Sequence, residues 1–272
     1  MGGLSILTNV GAMAALQQLS KTQKALNITQ LRVTTGLKVN GPKDDASTFA
    51  IAQRMRGDIA GIQSVEIALA GGDSIVNTAI SGGKAIADLL TEMKAKVVQA
   101  NQAGLDSASR TALNNDFTSL RDQLLTIVTT AEFNETNLLK SAATTLLVLS
   151  TVDGSVISVS AQKMDTTTLG INTTTILNSA GASSALTAIE TAITRVSDKL
   201  AALGSSAKRI EIQAEFSSTL VDILREGVGS LVDADLASES ATLQALQIQQ
   251  QLGVQALAIA NAGPQTVLAL FQ

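Results

Sequence analysis

Two stretches decide the fold: AMAALQQLSKTQKALNITQLRVTTGL at residues 12–37 and LQALQIQQQLGVQALAIANAG at residues 243–263. In the first, Ala12, Leu19, Leu26 and Val33 recur every seven residues, and Leu16, Gln23, Gln30 and Leu37 form a second row four residues on. That is the pattern of a coiled-coil seam. In the second, Leu236, Leu243, Gln250 and Leu257 repeat at the same interval. The wider apolar helical patterns run over 4–37 and 231–271, at opposite ends of the chain and almost without charge. Gln stands in both seams where an ideal zipper carries Leu, which weakens any single pair of helices and suits packing among several neighbours. A helix of about 30 residues is roughly 45 Å long. The ends are therefore expected to project from the remainder and to order fully only on assembly. An antiparallel pairing of the two ends within one chain fits the same periodicity.

Composition narrows the function classes. The chain has 272 residues, 45% of them apolar, enough for a sizeable core in one or two domains. Those apolar residues are Ala, Leu, Ile and Val with five Phe, and there is no Trp or Tyr. Aromatic anchors dominate ligand pockets and small interfaces, so their scarcity favours extended helix packing over pocket chemistry. The absence of His and Cys removes the commonest general base, the commonest metal ligands and thiolate chemistry. No enzyme activity and no cofactor are expected. A net charge of −4 argues against a nucleic-acid partner. Mean hydropathy is +0.27, yet no uninterrupted apolar run reaches the length of a membrane span; Gln249, Gln250, Gln251, Gln255, Asn261 and Gln265 break the C-terminal one. No Sec-type signal is visible, and Ile6 stands where myristoylation requires Ser or Thr.

Between the ends, Gly36, Gly41 and Pro42 punctuate a loop, after which Asp44 or Asp45 is placed to cap a helix. Helical periodicity then runs to about Ala100, interrupted by Gly57, Gly61, Gly71-Gly72 and Gly82-Gly83; these allow close packing or mark breaks, and both readings stay open. Residues 101–108 read as a turn and 109–130 as a helix. Thr144 to Ser160, with Asp153-Gly154 between two β-forming runs, reads as a hairpin. Residues 165–184, rich in Thr, Ser and Asn, read as exposed and loosely structured. Helical periodicity resumes near Ser183 and continues past Val228. The expected fold is mainly α: a long antiparallel helical rod with coiled-coil terminal helices and one small β-hairpin excursion in the middle. Residues 1–40 with 231–272 form an inner terminal-helix domain. Residues 41–230 form the rod, and 140–182 its exposed segment.

Particular blocks carry more. Leu31 to Asn40, Lys43-Asp44-Asp45-Ala46-Ser47 and Ala50-Ile51-Ala52-Gln53-Arg54-Met55 near one end, with Asp233 to Ser240, Leu243 to Gly253 and Ala258 to Asn261 near the other, resemble bacterial flagellin, the subunit of the flagellar filament. The resemblance covers roughly residues 1–140 and 183–272, and the short middle implies that a large outer domain is missing. It implies a homo-oligomer of many copies forming a helical filament for motility, located outside the cell, its chain exported unfolded by the flagellar type III apparatus. It also implies an export chaperone on the C-terminal helix, a filament cap and hook-junction proteins as partners, and no membrane insertion. The positions expected to make subunit contacts are Val10, Leu16, Leu19, Leu26, Val33, Leu236, Leu243, Leu246, Leu252, Leu257 and Leu270; the chaperone would use the leucines from Leu243 onward. Asn40, Asp44, Asp45, Arg54, Asp233, Asp235 and Glu239 are the polar positions of the family pattern. Two departures stand out. Glu92-Met93-Lys94-Ala95-Lys96 replaces the Arg-hydrophobic-Arg-Glu-Leu stretch of members recognised by a vertebrate innate-immune receptor, which implies weak activation. Phe133-Asn134-Glu135 replaces Phe-Asn-Gly, so that turn is open to a different shape.

Weaker signals fall away. Gly82-Gly83-Lys84 lacks the Gly and Ser/Thr spacing of a phosphate loop, since Thr78 and Ala85 stand there. Asp44-Asp45 as an acid–base pair is less economical than capping, and Asp233, Asp235 and Glu239 lack the spacing and glycine of a calcium loop. Competing readings are a hook–filament junction protein and, from another class, a secreted amphipathic membrane-active protein; the latter calls for a Lys/Arg-rich polar face that the terminal helices lack.

Overall fold

The computed structural model describes residues 8–269, with side chains described through 262. Its elements follow as α1 (Val10–Thr35), α2 (Ala46–Ala100), α3 (Ser107–Thr130), β1 (Leu146–Leu149), β2 (Val156–Val159), α4 (Thr166–Leu169), α5 (Ser179–Val232) and α6 (Leu236–Ala269). The chain is mainly α with a single small hairpin among the described residues. It divides into two units, one spanning Asp58–Asp222, the other formed by the described residues up to Gly57 and from Ile223 onward. Both divisions fall inside the long helices α2 and α5.

The Asp58–Asp222 unit is organised by one periodicity. Along α2 the buried positions are Ile62, Val65, Leu69, Gly72, Val76, Ala79, Gly83, Ile86, Leu90, Met93, Val97 and Ala100, an unbroken alternation of three and four residues. The pairing of Lys94 with Glu190 on α5, and of Gly83 with Leu200, sets α5 antiparallel to α2. The pairs Lys96–Asp116 and Gly82–Ile127 do the same for α3. Ala182, Ala185, Ile189, Ala192, Val196 and Leu203 answer from α5, and Phe117, Leu124 and Val128 from α3.

The glycines of α2 resolve as packing positions. A Cβ at Gly72 would lie 2.5 Å from Val148 Cγ2, and one at Gly83 would lie 2.7 Å from Leu200 Cδ2. The hairpin and α5 come against α2 where α2 has no side chain, and the helix runs through without a break. One window of α2 has the length and mean hydropathy, 1.2, of a membrane-crossing helix, with 28% of it buried. Two buried seam positions in every seven give that share, the pattern of a helix packed along one stripe in a bundle.

Caps close the ends of α1 and α3, and of these Gly36 alone was marked in the sequence. Asp106 caps α3 by accepting from Ser109 N–H at 2.6 Å, and Gly36 ends α1 with φ 72°. The guanidinium of Arg110, 9% exposed, gathers the carbonyls of Ala100, Gln102 and Leu105, where α2 ends with orphan acceptors.

Three differences from the sequence reading have physical causes. Hairpin pairing closes at Leu149–Val156 and extends by the 2.8 Å bond from Ser150 N–H to Ser155 O, so the loop is Thr151–Gly154 rather than Asp153-Gly154 alone. Gly154 supplies the left-handed residue, φ 88°, that ends it. Residues 165–184 are not an exposed coil. Leu169, Ile171 and Ile176 are all 1% exposed or less, and Arg121 Nη1 donates to the carbonyls of Asn172 and Thr174. Finally, Asn134 and Glu135 have φ 48° and 63° between two reciprocal 3.0 Å bonds joining Phe133 and Thr136. The turn keeps the shape that Asn-Gly would give, with Glu135 held where a side chain is disfavoured.

Candidate assembly surface

The unit containing the chain ends is built on α1 against α6. Asn9 Nδ2 donates to Ala260 O at 2.7 Å, Gln250 Nε2 to Gln23 Oε1 at 2.5 Å, and Arg32 Nη1 pairs with Glu239 Oε1 at 2.9 Å. A Cβ at Gly253 would lie 3.2 Å from Leu19 Cδ1. Residue numbers rise along α1 as they fall along α6, so the two helices are antiparallel within one chain.

The inward row of α1 is Ala12, Ala15, Leu19, Thr22, Leu26, Thr29 and Val33. The row of Ala12, Leu19, Leu26 and Val33 faces the partner helix as its spacing predicts, but its companion row is Ala15, Thr22 and Thr29, three residues on. The larger Leu16, Gln23 and Gln30 predicted for that role sit differently: Leu16 is 57% exposed and Gln30 exposed, and Gln23 reaches its partner by a hydrogen bond. Small residues admit a closer approach of the helices than the larger set. On α6 the inward row is Glu239, Leu243, Leu246, Gln250, Gly253, Leu257 and Ala260, each half-buried.

The predicted contact residues therefore divide. Leu19, Leu26, Val33, Leu243, Leu246 and Leu257 are engaged in the α1–α6 seam, whereas Val10, Leu16, Leu236 and Leu252 face outward, 76%, 57%, 49% and 57% exposed. Leu270 lies outside the described residues. The sequence reading missed further outward apolar residues: Met13, Ile28 and Leu31 on α1, and Ile248, Val254 and Ile259 on α6. On α6, Ala241, Ala245, Ile248, Leu252 and Ile259 repeat at three- and four-residue steps or their sum, a second stripe legible from spacing once the first seam is placed.

Three of the polar family positions, Asp44, Asp45 and Asp235, build the turns at the base of this pair. Asp45 Oδ1 accepts from the N–H groups of Ser47 and Thr48, and its Oδ2 from Thr48 Oγ1 at 2.7 Å, capping α2. The Thr48 hydroxyl and then its N–H hold the Asp45 carboxyl below the ordinary carboxylate value. That cap is complete above the ordinary value and is lost as acid passes the lower, folded one. Asp235 caps α6 in the same way through Ala237 and Ser238 N–H. Asp44 instead binds the backbone before the helix, accepting from Asn40 and Gly41 N–H. The chain crossings are stitched by Lys38 N–H to Val232 O at 2.7 Å and Ala234 N–H to Gly36 O at 2.9 Å. Asn40, Asp233 and Arg54 are exposed. At residues 92–96, which belong to the Asp58–Asp222 unit, Met93 is fully buried, and Lys94 and Lys96 are each paired with a carboxylate, Glu190 and Asp116.

Comparison with known proteins gives the same assignment by an independent route. The bacterial flagellin N-terminal helical region matches residues 6–144 and the C-terminal helical region residues 186–271. Flagellin FljK of Caulobacter vibrioides is 41% identical over 269 residues, covering 98% of each chain. The flagellin of Brucella melitensis is 36% identical, covering 98% of this chain and 99% of its own. Among solved structures, Bacillus cereus flagellin aligns over 54% of this chain and 86% of its own, with TM-score 0.50 and 22% identity. A putative flagellar hook-associated protein from Vibrio parahaemolyticus aligns over 70% of this chain and all of its own, with TM-score 0.57 and 16% identity. These two likenesses concern the fold alone; the near-full-length relatives separate filament subunit from hook-junction protein. The chain belongs to the bacterial flagellin family, the structural subunits of the flagellar filament.

Proposed function

We propose that this chain polymerises through the outward faces of its terminal pair, with α1–α6 pairing inside each subunit and the stripe of Ile248, Leu252 and Ile259 meeting neighbouring copies. The observation that carries this reading is their exposure, 58%, 57% and 74%, alongside Val10 at 76% and Met13 at 56%. Such apolar groups spaced for helix packing gain roughly 25 cal/mol per Å² when a second copy covers them. The leaky inner seam supports export as an unfolded chain, since a half-buried seam interrupted by Gln opens at low cost, and it supports full ordering of the ends in the filament. A chaperone reading of Leu243, Leu246 and Leu257 requires α1 to be off α6, and is thus a pre-assembly state. The cap and hook-junction proteins are further partners that the family implies.

The test is seeded polymerisation of purified subunit, followed by electron microscopy. Leu252→Asp should leave the subunit's own unfolding within about 0.5 kcal/mol, as for an exposed substitution. It should abolish filament growth, because a charge would be buried without a partner. Filaments of normal length from Leu252→Asp would remove the stripe from the interface. Filaments from a chain lacking residues 236–272 would remove the proposal.

A further inference from the structure

Asn40-Gly41 is the single Asn-Gly step in the sequence. Such a step is chemically the most fragile in a polypeptide, because the glycine nitrogen reaches the asparagine side-chain carbonyl without hindrance from a Cβ. Here Asn40 is exposed to water, and a Cβ at Gly41 would meet nothing within 4 Å, so packing does not shield the step. What meets it is a carboxylate. Asp44 Oδ2 accepts from Gly41 N–H at 3.1 Å and from Asn40 N–H at 3.0 Å, and Asp44 N–H returns a 3.1 Å bond to Gly41 O.

We propose that Asn40-Gly41 is a latent deamidation site that the Asp44 carboxylate holds closed. In the reaction Gly41 N–H gives its proton to solvent base, and the nitrogen attacks Asn40 Cγ. The N–Cγ bond forms, the Cγ–Nδ2 bond breaks, and Nδ2 leaves as ammonia with a proton taken from water. Addition of one water opens the succinimide to aspartate or isoaspartate. A hydrogen bond to an anionic acceptor keeps the proton on nitrogen and withholds the nucleophile. The two bonds around Gly41 also fix the backbone against the rotation that ring closure requires. When the site opens, isoaspartate inserts an extra carbon into the main chain of the turn joining α1 to α2. That turn is the one whose Lys38 and Val39 are bonded to Val232.

The full chain is held at neutral pH and 37 °C and digested at intervals, and the peptide containing Asn40 is weighed for a gain of about 1 Da. Asp44→Asn should deamidate at position 40 about tenfold faster than the unaltered chain, the factor of one charge-assisted hydrogen bond. Asp45→Asn serves as the second variant, because it loosens the cap of α2 and leaves the Gly41 bond in place. It should deamidate at the unaltered rate. Equal rates in Asp44→Asn and the unaltered chain overturn the proposal, as does equal acceleration in both variants, which would make general loosening of the turn the cause.

Discussion

Two heptad seams in one chain end differently. Along α2 between Ile62 and Ala100 every seam position is buried, several with no exposed surface at all. Along α1, Thr22, Leu26 and Thr29 are buried, and along α6 no described residue is. Both seams follow the same three-and-four spacing, so periodicity does not separate them. Their neighbours do. The α2 seam is closed by α3, α5, the hairpin and the Met164–Ile176 segment, whereas the terminal helices close one face against each other and leave apolar side chains on the others. A seam finished inside the chain makes a stable subunit, and one left unfinished leaves the apolar faces on which the proposed assembly rests.

The contrast breaks most visibly at Leu90, which has no exposed surface. Leu90→Ala should cost about 2–5 kcal/mol through lost contacts and a cavity, read as a lower urea midpoint by circular dichroism. If it costs no more than an exposed substitution, the α2 seam is not the finished one.

Next comes a pair of opposite sign. Gly72→Ala places a methyl against Val148, a β-branched strand residue with little room to turn, and should destabilise by about 1–3 kcal/mol despite its better helix propensity. Gly57→Ala, with nothing within 4 Å, should stabilise by up to about 1 kcal/mol. The same sign for both would mean that close approach does not explain the seam glycines.

The smallest effect lies in the terminal seam. Gln250→Leu alone strands the half-buried Gln23 and should cost about 1 kcal/mol, while Gln23→Leu with Gln250→Leu should recover it. A double-mutant cycle read by amide exchange in α1 measures the coupling. No coupling would show that this polar pair does not set the register.

Much of this was legible in sequence, since periodicity reports burial directly. The Ala12, Leu19, Leu26 and Val33 row, the hairpin, and a cap at Asp44 or Asp45 followed from spacing and residue type. The second row of α1 did not, because heptad spacing admits a row four residues on, at Leu16 and Gln23, where the helix turns Ala15 and Thr22 inward three residues on. The segment after β2 was hidden for another reason. Leu169, Ile171 and Ile176 are spaced two and five apart, matching neither helix nor strand, and they are buried by tertiary contact amid threonines. The outward stripe of α6 was the hardest to read, because an apolar helix face looks alike whether its own chain or another covers it.

The antiparallel pairing of α1 with α6 also fixes how the subunit meets force. Asn9 lies beside Ala260, so tension between the two termini loads that contact first and then each heptad in turn, as a zipper opens, rather than loading all of them together in shear. The stitched crossing of Gly36–Val39 with Val232–Ala234 lies at the far end and is loaded last. A pull on the N-terminus can peel the pair apart one contact at a time, whereas a load spread over whole helix faces meets them all at once.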